Sequence, residues 1–137
     1  MYIYACARDD KSMDRPLEKR VETLLVTEIS KAGGRAYKWT SPGNIGVPDR
    51  IVVLPNGVIE FVELKTEVGK LSELQKKQIS TLAKMGQNVS VVYGMKGLSE
   101  LFDYLRLYDA RDKIAKRYGK EKWYDKGRIE PYRIYSL

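Results

Sequence analysis

The 137-residue chain has no histidine and a single cysteine, Cys6. Without histidine there is no imidazole general base, no Ser-His-Asp triad and no histidine-ligated zinc. One cysteine excludes an internal disulfide and a cysteine-rich zinc site. It is also the usage of a reducing compartment, so a cytoplasmic location is expected. No apolar run approaches the roughly 18 residues of a membrane span, so no membrane partner is expected. The apolar start, residues 1–7 (MYIYACA), lacks a basic leader and is shorter than a signal peptide; it reads as a strand. A GxxxxGK[ST] run is missing too, which argues against a P-loop motor. Any reaction must therefore be carried by carboxylates, lysines, tyrosines or a hard metal ion.

The length suits one compact domain spanning 1–137, and 43% apolar with 31% charged residues is a globular rather than a disordered balance. On charge alone, the net +7 favours a polyanionic partner, either nucleic acid or an acidic membrane face. That excess is uneven. Residues 104–137 carry ten Lys/Arg against five Asp/Glu, together with six of the ten tyrosines and Trp123. This basic C-terminal extension could bind nucleic acid, with Tyr118, Trp123 and Tyr124 stacking on unpaired bases. Equally, its aromatics could be core or subunit contacts.

Asp14 and Pro16 are the cap and first turn of a helix, and Val21, Leu24, Leu25 and Ile29 continue it at helical spacing to about residue 32, where Gly33-Gly34 stops it. Residues 35–40 read as a short strand, and SPGNIGVP as a loop. Residues 50–54 and 58–65 are two strand arms around Asn56-Gly57, a strong hairpin signal. Ser72 caps a second helix running to about Lys84, followed by a strand at 89–93. Ser99 precedes a long helical pattern through Leu101, Phe102, Leu105 and Ile114.

The chemistry concentrates on that hairpin. Asp49 opens one arm, and Glu63 lies fourteen residues later near the end of the other. Glu63 and Lys65 are two apart on a strand and point to the same face. Two carboxylates brought together repel unless a cation sits between them. Oxygen-only ligands favour Mg²⁺ or Mn²⁺, to which the Leu64 backbone carbonyl could add a ligand. Lys65 would then stand beside an attacking water or a phosphate oxygen. All these parts serve phosphodiester hydrolysis.

Pro48-Asp49-Arg50, a hairpin and Val62-Glu63-Leu64-Lys65 resemble the PD-(D/E)XK nuclease signature. Around them GG, YK, SPG, GVPDRIVVLP, FVELK, GKLSELQ and MG follow in the order and spacing of the VRR-NUC family, virus-type replication and repair nucleases similar in core to archaeal Holliday-junction resolvases. The resemblance covers about residues 18–95. It implies an α/β, restriction-endonuclease-like core in the order αβββαβ over about 16–100, with a central mixed sheet flanked by helices. It further implies Asp49 and Glu63 as paired metal ligands, Lys65 as the catalytic lysine, and a first-helix glutamate near the metal. Glu22 matches that glutamate best, with Glu18 one turn earlier as the runner-up. Gln75 matches the glutamine that faces the site, and Lys38 a position that approaches phosphate. Asn44, Arg50 and Lys70, beside the same motifs, are further candidates for nucleic-acid contact. The implied activity is metal-dependent endonucleolytic cleavage of DNA, selective for branched forms such as four-way junctions, by a homodimer of phage type. The alternative is a protein on the same fold that holds branched nucleic acid without cutting it.

Overall fold

The computed structural model describes residues 17–119, so the expected strand at 1–7, the Asp14–Pro16 cap and the chain beyond Gly119 lie outside the described residues. The first helix, α1 (Leu17–Lys31), buries Val21, Leu25 and Ile29 along one stripe. It ends as the glycine pair requires: Gly33 is left-handed at φ 86°, and the Gly34 N–H returns to the Ile29 carbonyl at 3.0 Å. Three strands follow, β1 (Arg35–Lys38), β2 (Arg50–Val53) and β3 (Ile59–Lys65). β1 and β2 are antiparallel, as are β2 and β3, with Arg50 opposite Val62. Gly57 at φ 86° and the Leu54 N–H to Val58 carbonyl bond of 2.9 Å close the β2–β3 hairpin.

Helix α2 (Glu73–Lys84) then crosses over to β4 (Val89–Tyr93), which lies parallel to β3. The sheet order is β1-β2-β3-β4. Period-two alternation gives it two unlike faces. Val52, Val62, Leu64 and Val92 point into one core with α1 and the C-terminal helices; Phe61, Val89 and Val91 point into a second, with Ile79 and Leu82 of α2. Glu60 is buried on the first face, where its carboxylate accepts a hydrogen bond from the Ser90 hydroxyl.

The last long helical pattern is two helices, not one. Helix α3 (Gly94–Tyr104) begins five residues before Ser99, whose hydroxyl lies inside the helix and donates to the Lys96 carbonyl at 2.8 Å. Arg106 adopts a left-handed φ of 62°, and α4 (Tyr108–Tyr118) turns back onto α3. Apolar spacing runs on across the break, and no glycine or asparagine marks it, so periodicity alone joined the two. Ala110 and Ile114 are buried in the main core, and Tyr118 packs against it. The first part of the basic extension is therefore structural, and Tyr118 serves packing.

Among the described residues no helix is long and apolar enough to cross a membrane.

Gly34 shows how tightly α1 is joined to the hairpin. A Cβ there would stand 2.3 Å from the Val53 carbonyl oxygen and 3.0 Å from Leu54 Cδ2. Gly34→Ala is expected to destabilise the domain by about 1–3 kcal/mol, read as a lower urea midpoint with an unchanged slope. An unchanged midpoint would show that the backbone yields at this joint.

Candidate active site

Continuing the β2–β3 register by one residue sets Asp49 opposite Glu63, and by two sets Pro48 opposite Leu64. Leu54 and Val58 form a hydrogen-bonded pair, so every second pair along the hairpin does the same, and Leu64 faces the β2 side with both its N–H and its C=O. Pro48 has no N–H to offer that carbonyl. The Leu64 N–H goes instead to Asp49 Oδ2 at 2.9 Å. On its other side the Asp49 carbonyl accepts the Trp39 N–H at 3.0 Å. Asp49 is thus fixed from both neighbouring strands, and the Leu64 carbonyl points toward it without a ladder donor from β2.

Glu63 and Lys65 share the α2 face of β3. Lys65 Nζ stands 3.7 Å from Glu63 Oε2. Glu63 is only 2% exposed, and its Oε1 has no hydrogen-bond partner among the described residues. Burial pushes its carboxyl up to about 7, the Asp49 charge pushes the same way, and Lys65 opposes them.

Gln75 holds the remaining Glu63 oxygen. Ser72 caps α2 by accepting the Gln75 N–H at 3.1 Å, and Gln75 Oε1 accepts the Ser72 N–H at 2.8 Å. This reciprocal capping box commits the amide oxygen, so Nε2 must be the atom turned toward the sheet. It donates to Glu63 Oε2 at 2.8 Å. Ser72 is legible in the sequence as a cap, and the family resemblance has Gln75 facing the site; the capping box is what leaves Nε2 as the atom that reaches Glu63. The loop before Asp49 is seated on the same helix turn. Gly46 is left-handed at φ 97°, and a Cβ there would come within 2.7 Å of the Leu74 carbonyl carbon.

Asp49, Glu63, Lys65 and Gln75 therefore come together. Glu22 does not join them. Its Oε2 accepts from Arg50 at 2.8 Å, which lowers its pKa, and Arg50 also donates to the Ala36 carbonyl at 3.1 Å. The reason is the layer: α1 packs on the face that carries Arg50, Val52 and Val62, whereas Glu63 and Lys65 point to the other. Arg50 is accordingly held in an internal ion pair rather than offered to a ligand. Glu18 lies on α1, but its side chain is outside the described residues. Lys38 and Lys70 are exposed. Asn44 is exposed too, with its amide spent on Ser41 Oγ at 2.9 Å, where it closes the loop. Among the described residues no three acidic, histidine or cysteine side chains converge on one point. What converges is a carboxylate pair, of which Glu63 Oε1 is buried without a partner among the described residues, and a backbone carbonyl, a donor set that suits a hard cation.

This fold and site define an α/β domain with a carboxylate pair and a lysine at one end of a hairpin. The VRR-NUC domain family model matches residues 12–96, and the chain belongs to that family. It is 47% identical over 75 residues to "Putative nuclease p44" of Acyrthosiphon pisum secondary endosymbiont phage 1, covering 55% of this chain and 81% of that protein. A solved structure titled "VRR_NUC domain" superposes with a TM-score of 0.56 at 30% identity, covering 76% of this chain and 99% of that one. Family and relative together support a nuclease.

The Glu63 environment gives a pH test. An unfolded chain's carboxyl titrates near 4.5 and the folded one near 7, so between those values the native state holds the extra proton. Stability of the chelator-treated protein should therefore fall as pH rises across that window. Glu63→Gln removes the effect. Urea titrations should show no gain for the variant near pH 4.5 and a gain of about 1–2 kcal/mol at pH 8. The same difference at both pH values would contradict the assignment.

Proposed function

We propose that the chain is a Mg²⁺- or Mn²⁺-dependent DNA endonuclease, selective for branched DNA and acting as a homodimer. The observation that carries this reading is the fixed pair Asp49 and Glu63 with Lys65 beside it, on a protein whose net charge is +7. A polyanion binder gains nothing from buried paired carboxylates, because they repel its ligand. A phosphodiesterase that works through a hard cation uses them to hold the ion.

Asp49 Oδ1, the free oxygen of Glu63 and the Leu64 carbonyl would hold the ion, which when bound acidifies water and polarises the phosphodiester. Gln75 keeps Glu63 in one rotamer, so the ligand set is preorganised by the α2 cap. Lys65 orients the attacking water and offsets charge on the non-bridging phosphate oxygens. The water gives up a proton to solvent as its oxygen bonds to phosphorus, one sugar oxygen leaves with the bonding pair of the broken P–O bond, and that oxygen takes up a proton from solvent. Lys38 and Lys70, both exposed, supply cations to the flanking phosphates. A twofold pair of such sites would meet both strands of a branched substrate, which is the support for the dimer.

Labelled four-way junction, flap and linear duplex should be cut with Mg²⁺ or Mn²⁺ and not with chelator, the branched forms preferentially. Asp49→Asn and Lys65→Ala should each lower cleavage by about 100-fold or more. Metal-independent cutting, or full activity in both variants, would overturn the reading.

A second readout needs no catalysis. Mn²⁺ at about 100 times its dissociation constant should stabilise the protein by about 2.7 kcal/mol, seen as a raised melting temperature. Asp49→Asn should abolish that shift, and a shift retained in the variant would move the metal elsewhere.

A further inference from the structure

Among the described residues, four of the eight large hydrophobic side chains left exposed lie within four residues of Asp49, Glu63, Lys65 or Gln75, and three of these, Ile45, Val68 and Leu74, lie in the segments flanking the site. Ile45 is 74% exposed, Val68 is 88% exposed, and Leu74 is half-exposed. They sit in the three segments that lead into or out of the site: the loop before Asp49, the stretch after Lys65 and the first turn of α2. Exposed aliphatic groups carry an unfavourable hydration free energy, and Ile45, on the loop that lies against the first turn of α2, is one that an apolar partner would cover.

Ile45 is presented by a stiff loop. On one side Asn44 ties back to Ser41 twice, through its N–H to the carbonyl and its amide to the hydroxyl, both at 2.9 Å. On the other, Gly46 lies so close to the Leu74 and Gln75 backbone that no Cβ fits. Buried Pro48 then anchors the chain before Asp49. The apex therefore stays put while the rest of the loop is pinned to the helix that aims Glu63.

We propose that exposed Ile45, on the loop that rests against the first turn of α2, is an apolar wedge that enters the opened base step at a DNA branch point and so selects branched over linear DNA. The inference rests on the DNA-cleavage reading above and gives its substrate preference a residue. Exposed Lys38 and Lys70 in neighbouring segments fit a polyanion around the apolar apex. Within a polyanion the apolar surfaces are base faces, and in linear duplex these are covered by stacking. Opening a stacked step costs a few kcal/mol, and that cost is smallest where stacking is already interrupted. A wedge that needs an open step is therefore an energetic filter for branches.

The test uses four-way junction and linear duplex carrying 2-aminopurine beside the branch or at the matching internal position. Asp49→Asn protein in chelator binds without cutting. Its binding should raise the fluorescence of the junction more than that of the duplex. Adding Ile45→Ser should remove the rise, and adding Ile45→Leu should restore it. In otherwise native protein with Mn²⁺, Ile45→Ser should lower the junction-to-duplex cleavage ratio by about tenfold. Ile45 is solvent-exposed, so the substitution does not threaten folding, and circular dichroism checks this. Fluorescence unaffected by Ile45→Ser overturns the wedge. So does light scattering in which Ile45→Ser splits a dimer while leaving fluorescence unchanged, because the lip is then a contact between two copies. Native protein that cuts nothing while the fluorescence still depends on Ile45 would instead remove the nuclease reading and leave the wedge.

Discussion

The Asp49 carboxylate takes the place of a strand carbonyl opposite Leu64, and the rest of the site depends on that substitution. A ladder that continued past Arg50 would have satisfied Leu64 with backbone on both counts. Proline at position 48 cannot donate, and the chain leaves the sheet there, so a side chain closes the ladder on the donor side only. The same event fixes the rotamer of Asp49, frees a carbonyl on the same side, and sets Asp49 opposite Glu63. One backbone hydrogen bond thus assembles a set of oxygens that no single strand could present.

Holding those oxygens together works against the fold. Glu63 is buried near a second carboxylate, and Lys65 at 3.7 Å offsets the repulsion only in part. The compensation is spread over groups that lie outside the reaction. The Ser72–Gln75 capping box spends the Gln75 oxygen on the helix and leaves its N–H₂ for Glu63. Gly46 lets the preceding loop rest directly on that same helix turn. The strain at the carboxylate pair is therefore met by a helix N-terminus, a loop and a strand that converge from three directions.

The parts of this arrangement that were legible in the sequence are those fixed over short separations. Asn56-Gly57 set the hairpin, the hairpin set the register, and the register set Asp49, Glu63 and Lys65 at one end. The bounds of α1 and β4 followed from Gly33-Gly34 and from the VSVVY run. What was not legible depends on how elements are rotated against one another. Glu22 has helical spacing that suits a site residue, but the phase of α1 over the sheet turns it to Arg50 on the opposite layer. Glu60 is charged, yet α1 and α3 cover its face of the sheet, and there the Ser90 hydroxyl donates to its carboxylate. The turn at Arg106 uses a left-handed arginine, a conformation that no residue type there announces.

The parallel pairing of β3 with β4 also orders the events of folding. Asp49 meets Glu63 as soon as a local hairpin closes, an event of microseconds for a turn of this kind. Gln75 meets Glu63 only after α2 has formed and the chain has crossed over to lay β4 beside β3, which is a non-local step and a slower one. Between the two, the nascent chain holds both acids with no amide to aim one of them and little burial to perturb it. The hairpin alone thus presents its two carboxylates at the surface, and the buried, amide-aimed Glu63 arises only with the crossover.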